Sequence, residues 1–126
     1  MLDENSIAKI IVDCAYKVHT KLGPGLLESV YQSALTYELR KNNLNFKEQV
    51  PININYDGID LAIGFLADII VEEKVIIELK SVESIHPVHK KQLLTYIRLA
   101  DKRLGLLINF NEILIKNGIT RIANNL

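Results

Sequence analysis

The spacing of apolar residues changes period three times along this chain, and that alternation limits the fold more than any single motif. Ile7, Ile10, Ile11, Cys14 and Val18 recur every three to four residues, so about 4–20 reads as an amphipathic helix. Gly23-Pro24-Gly25 ends it, because Gly frees the backbone and Pro lacks the donor that would continue it. A second helix over about 26–42 carries Leu27, Val30, Tyr31, Ala34, Leu35 and Leu39 and closes at Asn42-Asn43. The period then falls to two. Val50, Ile52, Ile54 and Tyr56 alternate with polar residues, as a strand does. Asp57-Gly58 signals a hairpin turn, residues 61–71 read as a long strand, and Glu72-Glu73-Lys74 is a polar turn before a very apolar third strand, 75–82.

The helical period returns over about 87–101, with Pro87 at the start, where its missing donor costs least. Leu93, Leu94, Ile97 and Ala100 mark its buried face. Residues 104–110 form a fourth strand, and 113–116 with 120–122 read as a short final hairpin around Asn117-Gly118. The order ααβββαββ predicts one α/β domain over residues 1–126, a mixed β-sheet flanked by helices.

The totals exclude several classes. The 126 residues carry 15 basic and 15 acidic side chains, which argues against a strongly basic nucleic-acid clamp or a polybasic membrane binder. The balance is uneven along the chain. Residues 1–79 hold 7 basic and 12 acidic side chains, a net of −5, and residues 80–126 hold 8 and 3, a net of +5. One cysteine, Cys14, leaves no internal disulfide and no Cys-based zinc cluster. The acidic start and the lack of an apolar run near the ~18 residues of a membrane helix predict a cytoplasmic protein with no membrane partner.

The chemistry concentrates on the second and third strands. Alternation puts Leu66, Asp68 and Ile70 on one face, and Ile76, Glu78, Lys80 and Val82 on one face of the next strand. Residues 68 and 78 are equidistant from residue 73, so a tight turn there sets Asp68 opposite Glu78. Facing carboxylates repel, and flanking Ile and Leu add a burial cost. Lys80 is one compensating charge, and a divalent cation such as Mg²⁺ is a better one. The bland alternative is a structural Glu–Lys pair on a strand face.

Other residues bear on that choice. Glu28 falls in the first turn of the second helix, on the face of Tyr31 and Leu35, where the helix dipole alone would also favour an acid. Gln92 and Tyr96 share a face with His89 on the third helix. Lys90, Lys91 and Arg98 form either a solvated face or a phosphate contact. His86 and His89 lack the further ligands of a zinc site.

Together these residues resemble a known pattern. Gly25-Leu26-Leu27-Glu28-Ser29-Val30-Tyr31 matches the signature of the GxxExxY protein family. Gly64-Phe65-Leu66-Ala67-Asp68, Ile77-Glu78-Leu79-Lys80, the 89–96 segment and the 105–110 segment resemble its other blocks, over residues 5–122. That family is placed in the PD-(D/E)XK nuclease superfamily. The resemblance implies a restriction-endonuclease-like αβββαβ core and metal-dependent phosphodiester hydrolysis with Mg²⁺ or Mn²⁺. It implies Asp68, Glu78, Glu28 and the Leu79 carbonyl as metal ligands and Lys80 as the catalytic lysine. Gln92 and Tyr96 resemble the Q-x-x-x-Y motif of the RecB-like and lambda-exonuclease branch. Ala67 stands where the superfamily name has Pro.

The implied substrate is nucleic acid, with DNA as the expected form and Lys90, Lys91, Arg98 and His89 as its contacts. The alternatives are a nucleic-acid-binding module without cleavage and a protein-interaction domain. A homodimer is compatible with this size, with Ile59, Ile113 and Ile115 as apolar candidates.

Overall fold

A computed structural model describes residues 1–126. Helix α1 spans Glu4–Leu22. Asp3 caps it by accepting the Ser6 N–H at 2.7 Å, which satisfies one of the orphan donors of the first turn. Gly23 ends it at φ 72, a left-handed conformation open to a residue without Cβ. Helix α2 spans Glu28–Lys41.

Three strands follow: β1 (Phe46–Tyr56), β2 (Ile59–Val71) and β3 (Val75–Lys80). Helix α3 (Pro87–Leu99) then carries the chain across to β4 (Leu104–Asn109), and β5 (Ile119–Ala123) completes the sheet. The strand order is β1-β2-β3-β4-β5. Only β3 and β4 run parallel, because α3 is the one crossover long enough to return the chain to the same end.

Strand β3 divides its side chains between two cores, as a central strand covered on both faces must. Val75, Ile77 and Leu79 join Ile7, Ile11, Tyr31 and Leu35 beneath α1 and α2. Ile76 joins Ile70, Leu107, Leu93 and Ile97 beneath α3. The result is a five-strand mixed sheet flanked by three helices, the restriction-endonuclease-like α/β arrangement.

The structure corrects three expectations. Residues 113–116 do not form a strand. Ile115–Gly118 makes a 3₁₀ turn, and β5 pairs back onto β4, Ile108 with Ile119 and Leu104 with Ala123. The open edge of β4 offers a full row of partners, which a local two-strand ribbon cannot match. Gly118 permits the return, since a Cβ there would lie 2.2 Å from the Asn109 carbonyl oxygen.

The third strand ends at Lys80 rather than Val82. There the Asn109 side chain replaces the ladder, donating to the Val82 carbonyl at 3.0 Å and accepting the Val82 N–H at 3.1 Å.

Strict alternation also fails around Asp68. Phe65 and Ala67 join Ile70 in the α3-side core, while Leu66 is 51% exposed. Leu66, Asp68 and Ile70 therefore do not share a face. Opposite Asp68, Gln49 has φ 47, and the β1–β2 register passes from Glu48–Ile69 to Val50–Ala67 without a pair between them. A local irregularity of this kind re-aims the side chains beside it.

Candidate active site

The site forms where β2 and β3 separate. Their ladder pairs are Val71 with Val75, Ile70 with Ile76 and Ile69 with Ile77, the register that brings Asp68 next to Glu78. At that point side chains take over from the backbone. The Asp68 N–H donates to Glu78 Oε1 at 3.3 Å, and the Leu79 N–H donates to Asp68 Oδ2 at 2.8 Å. Gln49 Nε2 reaches Asp68 Oδ1 at 3.4 Å. The two carboxylates are thus neighbours on one seam, as the distance of each from residue 73 requires.

Their environments differ. Asp68 is half-buried, whereas Glu78 is only 9% exposed. Burial pushes the Glu78 carboxyl up to about 8, and the Asp68 charge adds to the rise; the Asp68 N–H and Lys80 pull the other way. At neutral pH the metal-free protein therefore holds Glu78 protonated beside Asp68, the usual resolution of two carboxylates in one poorly solvated place.

Lys80 follows on the same face of β3, half-buried. It has no carboxylate within 4 Å to neutralise it. Above this row stands α3. Tyr96 stacks on Phe65 with ring centroids 3.8 Å apart and planes within 3°. Its hydroxyl is pushed above its ordinary value by burial and by the charges of Glu78 and Asp68, with a hydrogen bond to Gln92 opposing. Tyr96 therefore lies within electrostatic reach of the carboxylate pair, and the exposed Gln92 stands one turn earlier on α3.

His89 sits at the entry of α3. Its Nδ1 accepts the His86 N–H at 3.1 Å, and His86 Nδ1 accepts the Val88 N–H at 3.1 Å. Both histidines thus cap the helix in a reciprocal box, a structural role in place of a zinc pair. Burial first, and then Lys80 and His86, hold the His89 imidazole below its ordinary value, while Glu28 opposes them. That places Glu28 and Lys80 in the electrostatic neighbourhood of one ring. Lys90, Lys91 and Arg98 are exposed on α3.

Glu28 is the first residue of α2 and is exposed rather than buried. Its loop is held by Tyr31, whose hydroxyl donates to the Gly23 carbonyl at 2.5 Å and accepts the Leu26 N–H at 3.1 Å. Tyr31 itself is buried and stacks on Phe110 at 4.6 Å. Ser81, next to Lys80, donates to the Leu26 carbonyl at 2.7 Å. The Gly25, Glu28, Tyr31 spacing thus has a physical purpose. The tyrosine fastens the turn from which the glutamate starts, and Ser81 fastens that turn to the end of β3.

No three His, Cys, Asp or Glu side chains gather closely enough to ligate one ion. The carboxylate group is a pair, Asp68 and Glu78, with Glu28 apart from it. The donor chemistry of the pair still fits a hard divalent cation, which binds through one or two carboxylates and keeps its waters. A cation there would offset both the burial penalty and the Asp68 repulsion that raise the Glu78 carboxyl.

The cavities of the chain are lined by other residues, and none touches Asp68, Glu78 or Lys80. Asp68 and Lys80 are half-buried and Glu78 is buried.

Sequence reasoning placed Phe65 and Asn109 inside motif blocks without giving either a role, and it missed Ser81 and Gln49. Asn109 did leave a signal, a lone amide at the end of the wholly apolar run from Leu104. It is fully buried, and its side chain also accepts the Asn111 N–H at 3.2 Å.

Residues 5–122 match the family model of the PD-(D/E)XK nuclease superfamily. No curated protein and no solved structure matches the chain.

Proposed function

Because the chain belongs to the PD-(D/E)XK nuclease superfamily, we propose that it hydrolyses phosphodiester bonds of nucleic acid, with DNA as the substrate and Mg²⁺ or Mn²⁺ as the cofactor. The observation that carries this reading is the Asp68–Glu78 seam, where the Asp68 N–H meets Glu78 Oε1 at 3.3 Å and Lys80 follows on the same strand. Two carboxylates in a place where one of them stays protonated lack only a cation to become a stable set.

Asp68 and Glu78 would hold the ion, with the Leu79 carbonyl and, through water, Glu28 completing its surroundings. Bound there, a divalent cation supplies Lewis-acid polarisation of a phosphoryl oxygen and lowers the pKa of a ligated water. The protein supplies the rest. Lys80, free of ion pairs, places a positive charge beside the reacting phosphate, where negative charge develops during hydrolysis. Tyr96, stiffened by its stack on Phe65, and Gln92 line the strand side of the site. His89 donates from Nε2, because its Nδ1 is already occupied as the acceptor of the cap. Lys90, Lys91 and Arg98 meet backbone phosphates in a sequence-independent way. A cytoplasmic location belongs to the same proposal; no helix of the structure is long and apolar enough to cross a membrane.

A second reading, binding of nucleic acid without cleavage, draws on one observation: no third ligand-bearing side chain joins the pair. One experiment separates the two. Purified protein is incubated with Mn²⁺ and linear, nicked and single-stranded DNA and RNA, beside Asp68→Ala and Lys80→Ala. Cleavage that both variants lose supports the nuclease. Lys80→Ala should still bind Mn²⁺ by calorimetry, since it removes no ligand. Salt-sensitive binding with no cleavage of any substrate supports the second reading.

A further inference from the structure

Gln49 holds its backbone where a glutamine rarely goes. Its φ is 47, in the left-handed region that L side chains enter at a cost. Regular pairing would set it directly opposite Asp68, because Glu48 pairs with Ile69 and Val50 with Ala67. That one pair is missing from the ladder, and side-chain contacts stand in its place. Gln49 Nε2 donates to Asp68 Oδ1 at 3.4 Å and to Gln32 Oε1 at 3.2 Å. Gln32 Nε2 in turn donates to Glu48 Oε1 at 3.1 Å.

The direction of this row is fixed at both ends. Asp68 and Glu48, as carboxylates, only accept. Gln49 must therefore offer its amide protons to Asp68, and Gln32 must offer its own to Glu48. Both protons of the Gln49 amide are then used, one on Asp68 and one on Gln32. Gln32 belongs to α2, four residues after Glu28 and on the same face. The row thus joins the helix that carries Glu28 to the strand that carries Asp68.

Asp68 gains what a ladder bond does not supply. The last torsion of an aspartate is broad and roughly two-fold, so a single hydrogen bond does not fix the plane of its carboxylate. Here the two oxygens have different donors from different strands. Gln49 of β1 donates to Oδ1, and the Leu79 N–H of β3 donates to Oδ2. Strands β1 and β3 flank β2 in the sheet, so the carboxylate is held from both sides. Each oxygen keeps a lone pair for a further partner. We propose that Gln49 is a positioning residue. With the Leu79 N–H it locks the Asp68 carboxylate in the orientation that ligates a cation, and its left-handed backbone serves that contact. The inference rests on the metal reading of the Asp68–Glu78 pair, but the hold of Gln49 on Asp68 exists without metal.

Removing an outer hydrogen bond to a metal ligand lowers metal affinity about tenfold or more. The backbone gives the position a second signature. Glycine adopts φ 47 freely, so Gln49→Gly should not lower the melting temperature in EDTA, although it removes the contact. A residue kept only for the fold would show the reverse, a loss of stability with no effect at Asp68.

The Leu79 amide reports on Asp68 without metal, because its N–H donates to Asp68 Oδ2 at 2.8 Å. In NMR spectra of the full chain in EDTA, Gln49→Gly should move that amide proton upfield and speed its hydrogen exchange. The ladder amides of Ile69 and Ile77 should stay unchanged. Calorimetric titration should show Mn²⁺ bound about tenfold more weakly than by the wild type. Gln49→Asn tolerates a left-handed backbone but is one methylene too short to reach, and it should match Gln49→Gly at both readouts. A Leu79 amide that behaves as in the wild type in both variants overturns the proposal. So does a loosened Leu79 amide with Mn²⁺ affinity unchanged. A wild type that binds no Mn²⁺ sinks the metal reading instead, and the Leu79 amide still decides whether Gln49 holds Asp68.

Discussion

Replacing Glu78 with Gln separates the charge of this side chain from its shape. Gln keeps the volume and the oxygen that accepts the Asp68 N–H at 3.3 Å, and it imitates the protonated carboxyl. In the folded, metal-free protein Glu78 titrates at about 8 instead of the ordinary 4.5, by burial first and then by the Asp68 charge. The unfolded chain gives up that proton near pH 4.5, and the folded chain keeps it to about pH 8. Between the two values the native state binds the extra proton. Glu78 therefore contributes stability that is complete below pH 4.5 and is lost as pH rises toward 8.

One pH unit in that window is worth about 1.4 kcal/mol, which makes about 5 kcal/mol the ceiling for the whole interval. The side chain's residual contact with water lowers the expected loss to roughly 2–3 kcal/mol. Urea denaturation in EDTA at about pH 5, 7 and 8.5 reads it directly. Wild type and Glu78→Gln should agree near pH 5, and the variant should be the more stable by roughly 2–3 kcal/mol at pH 8.5. Adding Mg²⁺ or Mn²⁺ at the higher pH should stabilise only the wild type, since a ligand stabilises the state that binds it. Parallel stability curves for the two proteins across the whole range would refute the reasoning.

Three further substitutions test the supports of the site. Asn109→Ala leaves the Val82 N–H and carbonyl without partners and should cost about 1–3 kcal/mol in denaturant titrations. Tyr31→Phe removes the bonds to Gly23 and Leu26; a loss of about 1–2 kcal/mol is expected, with faster amide exchange confined to residues 23–28. Gly105→Ala sets a Cβ 2.9 Å from Leu93 Cγ and 3.0 Å from Ile97 Cγ2. Overpacking beneath α3 should lower stability by about 1–3 kcal/mol, visible as a lower melting temperature.

Much of the fold was legible because secondary structure follows short periods. Helices α1, α2 and α3 and the first four strands follow from apolar spacing of 3.6 or 2 and from the Gly23-Pro24-Gly25, Asp57-Gly58 and 72–74 breaks. The Asp68–Glu78 pairing followed as well, since a tight turn at residue 73 dictates its own register. The final hairpin was misread because β5 takes its partner from β4, a choice between a local and a distant strand that no local pattern encodes.

The amino-acid sequence by itself thus determined the elements, their order and the register that pairs two acids across one turn. Those depend on neighbours within a few residues, where sterics and periodicity act. Only the tertiary structure decided which faces are covered. It left Glu28 exposed and stacked Tyr96 on Phe65. It used Asn109 in place of a strand ladder and left residues 59–66 of β2 without a partner in β3. Each of these depends on what lies across the sheet or beyond a helix end, and burial of that kind is a property of the packed layers rather than of any stretch of chain.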